Sequence, residues 1–436
     1  MRQGHRIAEA QDAYAEPVGQ AREDQMTDDS LEKPSRLLSG TPAFRRLNLA
    51  LFAAGFSTFA ILYCVQPLLP EFSREFHVSA AVSSLSLSLS TGLLAVAMLV
   101  AGSLSEVIGR KPIMVASLLL SALLTLLSAL APNWTSLLMA RMLIGITLSG
   151  LPAVAMAYVS EEVDPKSIGL AMGLFIGGNA VGGMSGRIIG GVLTDLGSWR
   201  LAIGLIGCIG LGSAFAAWRS LPASAHFQPR RARPVDLVRS MGEHLRDPGL
   251  RALFAEAFLL MGGFVTLYNY LGYRLTEPPY SLSQSAIGAV FAAYLIGTWS
   301  SAWIGGLADR LGRKRVLWVV IVIMLAGVAL TLFDHLLLII AGIVAVTFGF
   351  FGGHSIASSW VGSRAASAKA QASALYLFCY YLGSSAIGTL GGVFWARAAW
   401  PGVAGLVTAL LVAALALALW LATLPSSHGK ANATDS

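Results

Sequence analysis

Twelve long, mostly apolar runs follow one another along the chain. They lie at about 47–69, 80–103, 113–131, 134–158, 168–193 and 200–219, then at about 252–274, 285–307, 316–333, 336–360, 371–396 and 401–423. A helix needs about 20 such residues to cross the hydrocarbon of a bilayer. The runs are continuous rather than alternating, which argues against a β-barrel. Only 12% of the 436 residues are charged and 55% are apolar, with a mean hydropathy of +0.67. A soluble surface uses about twice that share of charge. A soluble enzyme, a nucleic-acid module and a disordered scaffold are excluded together. Three cysteines, Cys64, Cys208 and Cys379, fall inside apolar runs without ligand spacing. They read as small core residues, with no disulfide framework and no metal site. The sequence predicts an all-α membrane protein of twelve transmembrane helices.

Turn-prone or charged residues separate the runs, among them Pro132-Asn133, Asp164-Pro165-Lys166 and Pro278-Pro279. The first 44 residues hold no apolar stretch, so no cleavable signal peptide is expected there. They read as a disordered tail, and Met26 is an alternative start to Met1. An Arg- and Pro-rich break at 220–250 divides the spans into an N-terminal bundle, 45–219, and a C-terminal bundle, 251–424, followed by a tail at 425–436. The net charge is +7, and the cations are unevenly placed. Loops after even-numbered spans carry two Lys or Arg after span 2, one after span 4, seven after span 6, four after span 8 and two after span 10. Loops after odd-numbered spans carry Arg74, Arg200, Arg274 and Arg397. The positive-inside rule then puts the even loops and both termini in the cytoplasm. The basic central loop reads as a topology signal beside anionic lipid rather than a nucleic-acid patch.

The two halves repeat. The loop after span 2 reads Gly102-Ser-Leu-Ser-Glu106-Val-Ile-Gly109-Arg110-Lys111, and the loop after span 8 reads Gly305-Gly-Leu-Ala-Asp309-Arg-Leu-Gly312-Arg313-Lys314. Glu106 aligns with Asp309, as do both glycines and the Arg-Lys pair. Six-span halves in parallel repeat are an architecture of transporters, with the site between them near mid-bilayer. The pattern G-x-L-x-(D/E)-x-x-G-R-(K/R) resembles the signature loop of the major facilitator superfamily. Tyr63-Cys-Val-Gln66-Pro67-Leu-Leu-Pro70, Arg141-Met-Leu-Ile-Gly145 and Tyr268-Asn269-Tyr270 are similar to its bacterial twelve-span members. The resemblance covers about 45–424. It implies two six-helix bundles related by a pseudo-twofold axis, and an inner-membrane efflux protein of the drug:proton antiporter kind. It also implies that Glu106 and Asp309 latch the cytoplasmic side while the outer side is open. Glu106 has two expected partners, Arg110 and the positive N-terminus of a helix from the other half. Gly102 and Gly109 are expected to permit a close approach and a tight turn.

Charges inside the membrane are few because each costs at least about 2.5–3.5 kcal/mol, so they tend to face a cavity or a partner. By run boundaries they are Arg141 in span 4, Arg187 in span 5, Glu256 in span 7 and His354 in span 10. Arg141 matches the basic residue of the family's span-4 motif R-x-x-Q-G, with Ile144 in place of Gln, which implies a part in proton transfer. Carbonyl pairing and anion anchoring are the other readings of Arg141. Span 5 resembles the antiporter motif G-x-x-x-G-P-x-x-G-G through Gly178, Gly182 and Gly186, but Gly183 stands for Pro and Arg187 for the last Gly. Two cavity arginines suit an anionic or zwitterionic solute. His354 is a proton carrier or a hydrogen-bonded structural residue, and Glu256 lies near enough to the cytoplasmic end to snorkel. The span-1 carboxylate of many multidrug members is absent, leaving Tyr63, Cys64 and Gln66.

Aromatic residues gather in span 7 (Phe264, Tyr268, Tyr270) and span 11 (Tyr376, Phe378, Tyr380, Tyr381), with spacings of four on one helix face. They stack on a planar solute or simply pack. Trp134, Trp199, Trp395 and Trp400 read as interfacial anchors. Gly183-Met-Ser185-Gly186 also fits the G-x-S-G of intramembrane serine proteases, but only with His354 brought from the other half. No HExxH and no G-x-x-x-x-G-K-[ST] occurs, so neither an enzyme nor ATP coupling is expected. The reading is a monomeric secondary transporter of a small molecule in the bacterial inner membrane, without a cofactor. Proton-coupled efflux is the first choice. Symport of a sugar, nucleoside or organic anion is the alternative.

Overall fold

The computed structural model describes residues 36–224, 226, 227, 239 and 241–424. Most of the expected N-terminal tail, with Met26, much of the Arg-rich linker and the tail from 425 lie outside them. Helices occupy every predicted run. Spans 1 to 6 are Pro42–Phe76, Ala80–Ile108, Arg110–Ala129, Trp134–Glu162, Ile168–Leu196 and Trp199–Ser220; spans 7, 8 and 10 are Pro248–Thr276, Gln284–Leu311 and Leu336–Arg364. Spans 11 and 12 form one continuous element, Lys369–Thr423, broken at Ala398 and Ala399 just before Pro401. Proline has no N–H and clashes with the preceding turn, so a helix cannot run through undisturbed. With Pro42–Phe76 counted once, ten helices among the described residues are long and apolar enough to span. The break makes eleven. Span 9 is Arg313–Leu330, whose first turn carries three cations at the membrane surface.

Local chemistry sets the ends. Side chains of Thr41, Ser79, Asn133, Ser198, Asp247 and Ser283 accept from the first turns of spans 1, 2, 4, 6, 7 and 8, supplying acceptors that helix N-termini lack. Gly109 and Gly312 join spans 2–3 and 8–9 at φ of 107° and 93°, where a side chain would be strained. Leu37 exchanges backbone bonds with Glu162 and Asp164, and span 1 starts at Pro42. Large apolar side chains such as Leu49, Val100, Met139, Phe215 and Leu337 point outward, as helices in lipid allow. Cys208 is among the outward-facing residues, while Cys64 is buried. Trp199 and Trp400, at span ends, are buried against neighbouring helices: Trp199 packs edge-on against Phe72, and Trp400 donates to Thr331.

The duplication survives in three dimensions. Lys111 Nζ donates to the carbonyl of Leu221 and Lys314 Nζ to that of Leu424, each pair 110 residues apart. Glycines let span 5 lie on span 1: a methyl on Gly178 or Gly182 would overlap the carbonyls of Phe52 or Phe56, and one on Gly186 would come within 2.7 Å of Ala60 Cα. Span 11 lies on span 7 in the same manner, with Gly383 against the Phe258 carbonyl. Gln66 and Asn269 are 203 residues apart, the repeat offset, and they hydrogen-bond each other at 2.8 Å. Residues equivalent by pseudosymmetry can touch only beside the axis, so this bond locates it.

The halves meet at one end. Among the described residues, side-chain hydrogen bonds between them lie at the centre or at the end that carries the odd-numbered connections. Asp195 of span 5 accepts from the amides of Gln284 and Ser285 at the start of span 8, at 3.1 and 2.7 Å. Ser73 bonds Tyr273, which also reaches the Leu69 carbonyl. Ser385 donates to the Ser88 carbonyl at 2.7 Å. Gly191 and Gly392 allow the corresponding close approaches of span 5 to span 8 and of span 11 to span 2.

Gly182→Ala is expected to cost about 1–3 kcal/mol by overpacking a backbone contact, while Gly173→Ala, with open space around it, stays near neutral; thermal unfolding in detergent compares them. At the other end, Asp247 accepts from Arg364 Nε at 2.7 Å. Partial burial alone would raise its carboxyl, but donation from Arg364 and the Leu250 amide outweighs this and holds it below the ordinary carboxylate value. A depressed folded value means stability present above the unfolded value of about 4 and lost as pH falls through the folded one. The carboxyl is largely solvated, so the contribution is under about 1 kcal/mol. Asp247→Asn should flatten that acid loss in a pH series of melting temperatures.

Candidate functional site

Two of the buried cations satisfy helix ends. The last carbonyls of a helix have no intrahelical donor. Span 1 leaves its α-helical course at Tyr63, and there Arg141, 1% exposed, donates to the carbonyls of Ile61 at 2.9 Å and Leu62 at 2.7 Å, and to Ser86 at 2.8 Å. The positive group also sits at the negative end of a helix dipole. Of the three readings of Arg141, these contacts match carbonyl pairing. Arg274, assigned to a loop by the run boundaries, lies inside the last turn of span 7 and does the same for the carbonyls of Thr331 and Phe333.

Arg187 is different. It is 2% exposed, and its guanidinium donates to the Gly183 carbonyl at 2.6 Å and to Gln66 Oε1 at 2.7 Å. No carboxylate pairs with it among the described residues. Three rings cover it instead: Tyr63 at 4.2 Å, Tyr294 at 4.7 Å and Phe291 at 5.0 Å from the ring centres. Because Arg187 holds Gln66 Oε1, the Gln66 amide nitrogen must point to Asn269 Oδ1, and that turns Asn269 Nδ2 toward Gly388, without an acceptor. Gln66, Asn269 and Arg187, scattered over three spans in sequence, thus form one line across the pseudosymmetry axis.

A second group lies among spans 7, 10 and 11. His354 Nδ1 is 2.9 Å from Tyr376 Oη, and its ring stands 4.8 Å from that of Tyr380. Glu256 is completely buried, and neither carboxyl oxygen has a partner among the described residues. With no exposed surface, it does not snorkel to water. Rings bridge the two groups: Tyr294 neighbours Phe264, Phe264 stacks on Phe350 at 3.8 Å, and Phe350 lies parallel to His354 at 6.1 Å. Tyr268 flanks this path, stacked on Phe291 and bonded to Thr347. His354 bonds Tyr376 rather than Ser185, and no hydrogen bond joins Ser185 to His354 among the described residues. Two cavities of 520 and 460 Å³ lie elsewhere, beside Tyr273 and Trp395 and beside Phe254 and Phe378.

The signature loops are not equivalent in their contacts. Arg110 pairs with Glu161 of span 4 at 2.9 Å and with Ser105, not with Glu106. The longer reach across to span 4 wins because Glu161 offers both oxygens to the guanidinium. Arg313 reaches Asp309 at 3.5 Å and Ser363 at 2.8 Å. Gly102 faces open space rather than a neighbouring helix, whereas a methyl on Gly305 would meet Ser355 Oγ at 3.2 Å.

Phe291, Tyr294, Phe350 and Phe351 were not singled out by sequence. Their only signal was aromatic residues three apart near the start of span 8 and a doublet in span 10, which any packed helix could carry.

A bilayer fold of repeated six-helix halves, meeting around a buried, ring-lined polar line, is the architecture of a membrane transporter. Residues 51–384 match the Major Facilitator Superfamily. The chain is 51% identical over 383 residues to an uncharacterized MFS-type transporter, YybF, of Bacillus subtilis (strain 168), covering 88% of this chain and 95% of that one. It is 52% identical over 387 residues to the inner membrane transport protein YnfM of Escherichia coli (strain K12), covering 88% and 93%. In fold it is similar to a bacterial homologue of the human lysosomal transporter Spinster in an inward-facing, unoccupied conformation, with a TM-score of 0.68 at 16% identity over 88% of this chain and 96% of that one. The nucleoside transporter NupG gives 0.70 at 15% identity over 85% and 99%. The chain belongs to the major facilitator superfamily and is a bacterial, multi-pass membrane transporter of that type.

Arg141→Met would strip the Ile61 and Leu62 carbonyls at the end of span 1 of their guanidinium donors inside the bundle. It is expected to cost about 2–4 kcal/mol, with Arg141→Lys intermediate, read as a fall in melting temperature of the purified protein.

Proposed function

We propose that the chain is a monomeric, proton-coupled exporter of a small organic compound across the bacterial inner membrane. The halves 45–219 and 251–424 rock about the axis marked by Gln66 and Asn269. The observation that carries the coupling is Glu256. Its oxygens are buried and meet no donor among the described residues, so a negative charge on them would stand uncompensated at a cost of several kcal/mol. The neutral acid is the form this conformation accommodates. The cation bias puts the termini and even-numbered loops in the cytoplasm. On that orientation the sealed end is periplasmic and the conformation opens inward, with a proton held on Glu256 before release. His354 and Tyr376 are the neighbouring groups suited to pass that proton. The glycine face of span 5 supports the antiport direction through its likeness to the antiporter motif. Glu106 and Asp309 act in the opposite conformation, where the cytoplasmic end closes; here Glu106 has no ion pair among the described residues, and Asp309 pairs only within its own loop.

Proteoliposomes with an imposed pH gradient and a panel of solutes test the reading. Proton movement opposite to solute movement is expected; movement in the same direction would establish the symport alternative. Glu256→Gln should abolish gradient-driven accumulation while leaving solute exchange at equilibrium intact. Glu106→Gln should lower turnover with little change in solute affinity, and unchanged turnover would remove the latch.

A further inference from the structure

The cation at Arg187 is left over by the packing. Arg141 gives all three of its guanidinium nitrogens to carbonyls, and Arg274 bonds two carbonyls and reaches Asp334 at 3.3 Å, but Arg187 faces one carbonyl and one neutral amide, and its Nη2 donates to no described residue. Asn269 Nδ2, in the same line, is a buried donor without an acceptor. What this line lacks is acceptor oxygens and a negative charge. Ring faces stabilise a cation only partly, and less than a carboxylate held in a two-bonded fork.

The ligand's second feature follows from the walls. Tyr63, Phe291 and Tyr294 surround the guanidinium, and Phe264, Phe350, Tyr380 and His354 continue the ring-lined path beyond them. A planar ring slots between such faces. We propose that Arg187 is the anchor for an anionic aromatic solute, a ring bearing a carboxylate, which takes the guanidinium from Gln66 while its ring replaces part of the aromatic cover. This deepens the exporter reading and rests on it for the solute's being transported.

The position has a consequence for coupling. Arg187, Gln66 and Tyr63 belong to the N-terminal half, whereas Asn269, Phe291 and Tyr294 belong to the C-terminal half. The solute and the closed interface therefore compete for one cation. A carboxylate that draws Arg187 away from Gln66 frees the Gln66 amide to turn, which loosens the bond to Asn269 across the axis. Binding from the cytoplasmic side then weakens the periplasmic seal, the order of events an exporter requires.

Binding to the purified full-length protein in detergent, with no gradient present, tests the site with three probes of one size: benzoate, benzamide and benzylammonium. Benzoate should bind at least about tenfold more tightly than the other two. Arg187→Gln should weaken benzoate by about 10- to 100-fold, the range for a lost hydrogen bond to a charged group. Gln66→Glu supplies an internal carboxylate to Arg187 and should lose benzoate equally while keeping its melting temperature, which separates loss of the site from loss of fold. Glu256→Gln should keep benzoate affinity, so failure of proton coupling in the gradient assay is distinct from failure here. The proposal is overturned if benzylammonium binds as well as benzoate, if Arg187→Gln and Gln66→Glu bind benzoate like the parent protein, or if benzoate does not bind at millimolar concentration.

Discussion

Across about 30 Å of hydrocarbon no water is available to a backbone carbonyl or a charged side chain. Every polar group in this protein is answered from within or left at a cost. Many serines and threonines of the spans turn back onto carbonyls of their own helices, as Thr58, Thr125, Thr298 and Thr347 do, and others, such as Ser90 and Ser300, bond the carbonyl of a neighbouring helix. Arg141 and Arg274 close the ends of spans 1 and 9. Against that economy, among the described residues, a carboxyl with no donor at Glu256 and a guanidinium at Arg187 whose Nη2 has no acceptor stand out. They are the two places where we propose that a proton and a solute anion act.

Glycine supplies the other half of the construction. In lipid there is no hydrophobic drive between helices, so association relies on close backbone approach. Gly182 and Gly383 occupy matching places in the two halves, bringing span 5 onto span 1 and span 11 onto span 7. The same two helices then reach across, span 5 to span 8 and span 11 to span 2, with Gly191 and Gly392 at the crossings. One small-residue device thus builds each half and joins it to the other. Among the described residues the hydrogen-bonded joint lies at the centre and one end, and the helices that make it belong whole to one bundle or the other, so it can be undone without unfolding either.

Much of this was legible in the residues. The apolar runs, the two signature loops and the offset of 203 residues carried the fold, and the lone charges and clustered aromatics contained most of the candidate site. Gln66, Asn269, Arg187, Tyr268, Tyr376, Tyr380 and His354 do converge. The pairing of Arg110 with Glu161 was not legible, because a loop motif shows which residues are near in sequence and not that span 4 ends beside it. Nor were Phe291 and Tyr294, whose faces matter only once span 8 has docked on span 5.

The amino-acid order alone determined that this chain spans the bilayer, that it is a duplication and which few charges it takes into the membrane, because those follow from transfer energies and local periodicity. Only the tertiary structure decided which of two buried arginines is neutralised by carbonyls and which is left to rings. It also decided that repeat-equivalent Gln66 and Asn269 meet at the axis. Those outcomes depend on where helix ends fall relative to neighbours tens to hundreds of residues away, and no local pattern encodes that distance.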